Sequence, residues 1–335
     1  MSTIVDVCKL AGVSKATVSR VINGNGPVKE STRHTVYSAM EQLGYRPNTV
    51  ARALATNETS TLGFVVSDFN GIHFGLLLKQ ASASTEAANK QLLVTDGHND
   101  PDKEYEAIRK IEGSCDAIVL YSRTPTDAHI NQLAKQLTVP LVVMNRLAPN
   151  PLCHVIAFDQ QGAVEMMVDY LVSCGHSKIA CITGTLNNPT GQARLAGYKN
   201  SLLAHGMAFD QELVVYGEYF IESGYRACKE LIDKGVDFTA MVAFNDHMAF
   251  GALKALSEVG ISVPEQVSII GIDDDPTSSF SSPTLTTVEL PIEKMTKHAI
   301  ELALALTKDK KTPSFHLYTG RLIKRESVIP CADDI

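Results

Sequence analysis

No apolar run in this 335-residue chain approaches the length of a membrane span; the longest, such as Leu62–Val66 and Pro140–Met144, are strand-sized. The first residues, Met1 to Asp6, lack a basic region followed by an apolar core, so nothing there marks the chain for export. No Cys-x-x-Cys pair occurs among the seven cysteines, and their number is odd. They read as free thiols in a reducing cytoplasm rather than as a disulfide or zinc framework. Catalytic signatures are missing too. There is no Gly-x-Gly-x-x-Gly: Gly24-Asn25-Gly26 lacks the third glycine and follows a helical pattern, not a strand. There is no Walker A lysine, no Gly-x-Ser-x-Gly elbow and no His-Glu-x-x-His. The ten histidines are dispersed, and His176, beside Cys174, reads as a helix-end turn rather than a ligand pair. What is present is 44% hydrophobic and 20% charged residues, the balance of a globular chain long enough for two or three domains.

The net charge of −7 argues against nucleic acid when taken globally, but it is unevenly spread. Residues 1–58 hold seven Lys/Arg (Lys9, Lys15, Arg20, Lys29, Arg33, Arg46, Arg52) against four acids, a net of +3, whereas the rest holds 23 basic and 33 acidic residues, a net of −10. A small basic head on an acidic body suits a polyanion-binding module joined to something else. An excess of three charges does not decide the matter by itself.

The head reads as three short helices. Ile4, Val7, Cys8 and Ala11 recur at i, i+3, i+4 and i+7 and form one apolar face, with Thr3 as N-cap, Asp6 completing a weak capping box and Gly12 as the stop. Ser14 caps a second helix whose inner face is Val18, Val21 and Ile22, and Ser31 opens a third with Val36, Ala39, Met40 and Leu43 inward. Two helices across a tight Gly-Val-Ser turn, braced by a third, make a helix-turn-helix unit. So small a core is marginal, and the unit is expected to be mobile relative to the rest. Residues 46–60 read as a linker carrying one short helix.

From Leu62 onward strands alternate with helices. Strands are expected at Leu62–Val66, Gln91–Thr95, Asp116–Tyr121 and Pro140–Met144, then near 154–158, 178–183, 212–216, 240–244 and 267–271. Continuous apolar strands between amphipathic helices imply parallel sheets covered on both faces. Nine strands are many for one twisted sheet, so two similar lobes are expected, with a crossover at Phe158–Gly162. The tail crosses back through Thr286–Leu290, a helix from Pro291 to about Thr307 and a last strand around Arg321–Ser327.

In open α/β sheets ligands lie beyond the carboxyl ends of the strands. There the sequence places Ser67, Asp68 and Asn70, then Asn145 and Arg146, then Asn245 and Asp246, then Asp273-Asp274-Asp275, with Arg194 early in a helix. Amides, carboxylates and a guanidinium fork suit a ligand rich in hydroxyls, and Phe74 and Tyr219 can face a pyranose ring. Each short polar residue is equally a turn or cap residue. Asp246 can simply cap the helix that follows, and the triple acid can be a solvated turn; a metal is disfavoured because no second cluster of hard oxygen ligands is visible.

Three stretches carry a resemblance. Thr3-Ile4-Val5-Asp6-Val7, Ala11-Gly12-Val13-Ser14 and Thr17-Val18-Ser19-Arg20-Val21-Ile22-Asn23 resemble the headpiece of the LacI/GalR family of transcriptional regulators; Gly44-Tyr45-Arg46-Pro47-Asn48, Ala51-Arg52 and Leu54 resemble its hinge; Arg194-Leu195-Ala196-Gly197-Tyr198, Asn245-Asp246-His247-Met248-Ala249 and Ile270-Gly271-Ile272-Asp273-Asp274 resemble its regulatory core. Val142-Val143-Met144-Asn145-Arg146 and the ending from Gly320 to Ser327 are most similar to the galactose and asc-type β-glucoside branch. The resemblance implies an α/β protein: a helix-turn-helix headpiece (1–46), a hinge helix and linker (47–60), and a two-lobed periplasmic-binding-protein-like core of parallel sheets (61–335). The first lobe takes about 61–158 plus 291–320, the second 159–290 plus 321–330.

It further implies that the second helix enters a major groove, with Lys15 and Ala16 toward base edges, Arg20 toward an edge or a phosphate, Thr17, Ser19 and Asn23 toward phosphates, and Thr3 and Ser14 among the DNA contacts. Asn48, Ala51, Arg52 and Leu54 fall in a minor-groove hinge, Leu54 as the wedge. Implied effector contacts are Ser67, Phe74, Asn145, Arg194, Tyr219, Asn245 and Asp273; Asn145 stands where some relatives have aspartate. Implied partners are a palindromic operator, a small galactoside or glucoside and a second copy of the chain, with no cofactor, metal or membrane, in the cytoplasm at the bacterial nucleoid. No leucine heptad follows Pro330, which favours a dimer over a tetramer. Two other readings compete: a doubly wound sugar- or nucleotide-processing enzyme with a helical arm, and a plain sugar-binding module.

Overall fold

The computed structural model describes residues 2–23, 26–46, 58–70, 73–122, 127–147, 149–309 and 312–331. The chain divides into two compact units, 1–60 and 61–335.

The smaller unit holds α1 (Ile4–Ala11), α2 (Lys15–Asn23) and α3 (Glu30–Gln42). The Thr3 backbone N–H donates to Asp6 Oδ2 at 2.9 Å while Thr3 Oγ1 accepts from the Asp6 N–H, a complete capping box. Gly12 then leaves the helix at φ 66°, where a side chain would be strained. Ser14 Oγ accepts from the Thr17 N–H at 3.1 Å and starts α2. Ser31 does not open α3: the helix begins one residue earlier, behind Lys29, without a side-chain cap, and the Ser31 carbonyl accepts from Thr35 Oγ1 instead. Val7, Ala11, Val18, Val21, Val36 and Ala39 are buried together, with Ile4, Cys8, Ile22, Met40 and Leu43 packed around them. The expected hinge helix, including Asn48, Ala51, Arg52 and Leu54, lies outside the described residues.

The larger unit contains two six-stranded sheets. The first uses β1 (Thr61–Val66), β2 (Gln91–Asp96), β3 (Ala117–Tyr121), β4 (Leu141–Met144), β5 (His154–Phe158) and β11 (Phe315–Tyr318), in the order β11-β5-β4-β3-β1-β2. All its pairings are parallel. The second uses β6 (Ile179–Thr183), β7 (Val214–Tyr216), β8 (Ala240–Ala243), β9 (Ser268–Asp273), β10 (Thr286–Glu289) and β12 (Arg321–Ile323), in the order β12-β10-β9-β8-β6-β7. Only β12 runs antiparallel, against β10.

Alternation along the strands sorts side chains onto the two faces of the first sheet. Leu62, Phe64 and Val66 of β1, with Val119 of β3, join Leu77 and Ala81 of α4 (Phe74–Ala87) and Ala299, Ile300 and Ala303 of α11 (Ile292–Leu306). Val65, Ile118 and Leu120 join Ile108 and Ile111 of α5 (Pro101–Ile111) and Ile130 and Leu133 of α6 (Asp127–Gln136). In the second sheet α7 (Gln160–Ser173) pairs with α8 (Pro189–Ala204), and α9 (Ile221–Asp233) with α10 (Asp246–Glu258). The α9–α10 pair can close because Gly224 and Gly251 lack side chains: a Cβ on Gly251 would sit 2.1 Å from the Ile221 carbonyl oxygen.

Strand β11 has no counterpart in the expected strand series. It is four residues long and only partly buried, so its sequence carries no full apolar alternation.

Candidate functional site

On the headpiece, α2 turns Val18 and Val21 inward and leaves Lys15, Ala16 and Arg20 exposed. Thr3 and Ser14 are exposed, Thr17 and Ser19 half-buried, and Asn23 is the last residue of α2. A cation, a methyl and a guanidinium on one solvent-facing helix surface form a pattern that can meet base edges and phosphates.

In the core a narrow cavity of about 20 Å³, room for about one water, is lined by His73, Tyr121, Asn145, Gln160, Thr190, Arg194, Tyr219, Asn245, Asp273 and Leu290. Five of the seven expected effector residues meet here: Asn145, Arg194, Tyr219, Asn245 and Asp273. Ser67 and Phe74 do not line the cleft. Ser67 is buried and donates to the Tyr121 carbonyl at 3.3 Å, and Phe74 rests on Phe69 with ring centroids 4.8 Å apart.

Each polar group is held by backbone geometry or a partner. Asn145 follows β4 at φ 63°, Tyr219 follows β7 at φ 69°, and Asp273 ends β9 at φ 129°. Positive φ is uncommon outside glycine and a true outlier for a bulky ring such as tyrosine; such strain gathers at functional sites. The Tyr219 ring occupies the space where a Cβ on Gly184 would be, 2.0 Å from Cζ. Asn245 Nδ2 donates to the Tyr219 carbonyl at 2.9 Å, while its Oδ1 accepts from the Met248 N–H at 2.9 Å. The same amide thus fixes the strained turn and caps α10. Asp246, which could have been that cap, is instead the first residue of the helix.

Arg194 is a buried guanidinium, 4% exposed. Its Nε donates to Gln160 Oε1 at 2.7 Å, a terminal nitrogen donates to the Phe244 carbonyl, and its carbon stands 6.0 Å from the centre of the Tyr219 ring. Gln160 Nε2 donates in turn to Asn145 Oδ1 at 3.1 Å, joining a residue after the first sheet's β4 to the start of α7. Asp273 supplies the opposite charge in the same cleft. Its Oδ1 is fully buried and accepts no hydrogen bond from any described residue; His73 Nε2 stands 3.2 Å away.

The three consecutive acids have three different fates. Asp273 faces the cleft, Asp274 Oδ1 meets Arg325 at 2.6 Å, and Asp275 caps a short 3₁₀ turn at Pro276–Ser279. The His247 imidazole, its Nε2 3.6 Å from Asp275 Oδ2, and then the Thr277 hydrogen bonds hold the Asp275 carboxyl well below the usual carboxylate range. Behind them Asp246 is completely buried and accepts from Thr287 Oγ1 (2.6 Å), Ser278 Oγ (2.7 Å) and the Asp275 N–H (2.9 Å). Burial, and then the neighbouring Asp273, push its carboxyl well above the ordinary range despite those donors. Among the described residues no group of three or more His, Cys, Asp or Glu side chains is placed to hold a metal.

The strand-end rule could have found Tyr121, Gln160 and Leu290, since each lies at or just past the end of β3, β5 or β10. Thr190 stands one helical turn before Arg194. His73 has no such signal, because a loop separates it from β1.

A basic helix-turn-helix unit joined to a two-lobed, cleft-bearing α/β core defines a DNA-binding transcriptional regulator with a ligand-binding domain. Residues 3–48 match the family described as bacterial regulatory proteins, lacI family, and residues 168–328 match the periplasmic binding protein-like domain. The HTH-type transcriptional regulator AscG of Escherichia coli K12 is 39% identical over 332 residues, covering 98% of this chain and 99% of its own. GalR of the same organism is 38% identical over 330 residues, 98% of this chain and 96% of its own. Among solved structures, a lac repressor dimer bound to operator and the anti-inducer ONPF is similar with a TM-score of 0.90 at 26% identity, covering 98% of this chain and 99% of that one. A complex of the transcriptional regulator CelR with cellobiose gives 0.73 at 30% identity, covering 98% and 100%. The chain belongs to the lacI family.

Proposed function

We propose that the protein represses carbohydrate-utilisation genes, binds a palindromic operator as a homodimer in the cytoplasm, and is controlled by a small neutral sugar of the galactoside or glucoside class seated between the lobes. The single observation that carries the effector reading is Asp273 Oδ1, a buried carboxylate oxygen that accepts no hydrogen bond from any described residue, facing a cleft that also holds a guanidinium and two amides. An unpaired buried acceptor is costly, and a sugar hydroxyl donating to it removes that cost. One guanidinium balanced by one carboxylate favours an uncharged polyol over a phosphate ester.

In this reading Asn145, Arg194, Tyr219, Asn245 and Asp273 contact the sugar and Ser67 and Phe74 support it from behind. Lys15, Ala16 and Arg20 read the major groove, Thr3, Ser14, Thr17, Ser19 and Asn23 hold phosphates, and Asn48, Ala51, Arg52 and Leu54 enter the minor groove. Exposed Phe280 (86%), Phe220 and Ile221 are apolar side chains that a second copy can cover. The named relatives AscG, GalR and CelR with cellobiose support the carbohydrate class.

A gel-shift assay across palindromic sites upstream of sugar-utilisation genes, with D-galactose and methyl β-D-glucopyranoside as probes, tests the reading. Site-specific binding that weakens or strengthens with one sugar is expected, and Lys15→Ala should cost about 1–3 kcal/mol on the cognate site. Equal operator affinity with and without every sugar tried, while the sugars bind, would remove the regulatory reading. The absence of sugar binding would remove the effector assignment.

A further inference from the structure

We propose that Gly184 is the residue that positions Tyr219 in the effector site, its lack of a side chain deciding where the ring meets a ligand; the proposal rests on the sugar reading of the cleft. Gly184 directly follows β6, and Tyr219 lies three residues past β7. The two strands are parallel neighbours with Thr183 beside Tyr216, and the Gly217 N–H donates to the Thr183 carbonyl at 2.8 Å, which brings the strand ends together. A Cβ on Gly184 would stand 2.0 Å from Cζ, 2.3 Å from Oη and 2.4 Å from Cε1 of Tyr219, and these are its three nearest atoms. Side chain and ring cannot share this place without one of them moving.

Two observations separate this glycine from those that serve the backbone. Its φ is not positive, unlike that of Gly175 or Gly206, so an alanine at 184 meets no left-handed strain. At nearby Gly191 a Cβ would press on the Thr185 carbonyl oxygen at 2.1 Å, whereas at Gly184 the nearest atoms all belong to one side chain. That side chain is anchored at its root: φ at Tyr219 is 69°, and Asn245 Nδ2 holds its carbonyl at 2.9 Å. Gly184, Tyr219 and Asn245 all belong to the second lobe, so the arrangement does not depend on how the two lobes are set. A methyl at 184 moves the ring while the other second-lobe groups stay in place. A pyranose packing its C–H face on that ring then loses the contact.

The test is a double-mutant cycle on the intact protein: wild type, Gly184→Ala, Tyr219→Gly, which removes the ring and suits the positive φ, and the two substitutions together. Thermal unfolding without sugar reads the contact itself. Gly184→Ala should lower the midpoint by about 5 °C while the ring is present. Once the ring is gone the same change should leave the midpoint unchanged or raise it, because alanine restricts the unfolded chain. Where Gly184→Ala alone does not fold, the double variant should. Calorimetric affinity for D-galactose or methyl β-D-glucopyranoside, whichever the wild type binds, should be about tenfold weaker in Gly184→Ala. An equal loss of stability in both backgrounds, or wild-type sugar affinity in Gly184→Ala, overturns the proposal. If neither sugar binds the wild type, the sugar reading of the cleft fails, and the unfolding cycle alone upholds or overturns Gly184 as the residue that seats Tyr219.

Discussion

The two lobes share a topology but not a chemistry. Each is a six-stranded sheet whose outer strand comes from the tail of the chain. Among the described residues around the cleft, however, the first contributes His73, Tyr121 and Asn145, while both the guanidinium and the carboxylate, Arg194 and Asp273, come from the second. The second lobe's groups are also more tightly prearranged: Asn245 fixes the Tyr219 turn and a helix cap, and Asp246 fastens β10 and the 276–279 turn behind Asp273. Repeating a fold therefore does not repeat its site. One lobe holds a prepared surface, and the other brings a few groups onto it.

Substitutions can break this comparison. The largest effect is expected for Arg194→Ala, which strands Gln160 Oε1 and the Phe244 carbonyl in a buried place. A loss of about 3 kcal/mol in urea unfolding is expected, with sugar-induced thermal stabilisation abolished. An unchanged sugar response would move the ligand away from the second lobe. Asn245→Ala removes the cap of α10 and frees the Tyr219 carbonyl, at about 2 kcal/mol by the same measurement.

Asp246→Asn acts through pH. A carboxyl raised in the folded state lends full stability below its unfolded value near 4, and loses it as pH climbs toward the folded value. The variant cannot titrate, so it should gain steadily on the wild type as pH rises from 4.5 to 8. Parallel urea midpoints across that range would count against a buried, strained carboxyl. The smallest effect belongs to the first lobe: Asn145→Ala loses the Gln160 contact and should cost about 0.5–1 kcal/mol. A cost equal to that of Asn245→Ala would erase the asymmetry between the lobes.

Much of this was legible in the sequence for identifiable reasons. Runs such as Ala117–Tyr121 are buried on both faces and so are apolar without interruption, which marks a parallel strand. Residues just past strand ends found Asn145, Asn245 and Asp273 because parallel sheets gather those ends. Phe74 lies outside the cleft lining: an aromatic residue near a strand end reports apolar surroundings, and here its ring neighbour is Phe69. Gln160 was passed over as part of a crossover, although its amide is what joins Asn145 to Arg194. The division of Asp273-Asp274-Asp275 among a cleft, an arginine and a turn was beyond any pattern. It depends on Arg325 and His247, which approach from distant parts of the chain.

The backbone passes from sheet to sheet three times, after Phe158, after Glu289 and after Tyr318. The Asp159 N–H donates to the Tyr318 carbonyl at 2.8 Å, which binds two of these passages together. At Gly320 even a methyl group would lie 2.4 Å from Val288 Cγ1 and 3.3 Å from Phe158 Cζ. Three strands of rope knotted this closely behave as one pivot: the lobes can nod about it, but sliding or swivelling would have to tear a shared seam. Removing the chain from residue 315 onward would take an edge from both halves at once, so neither half can be excised as an independent piece.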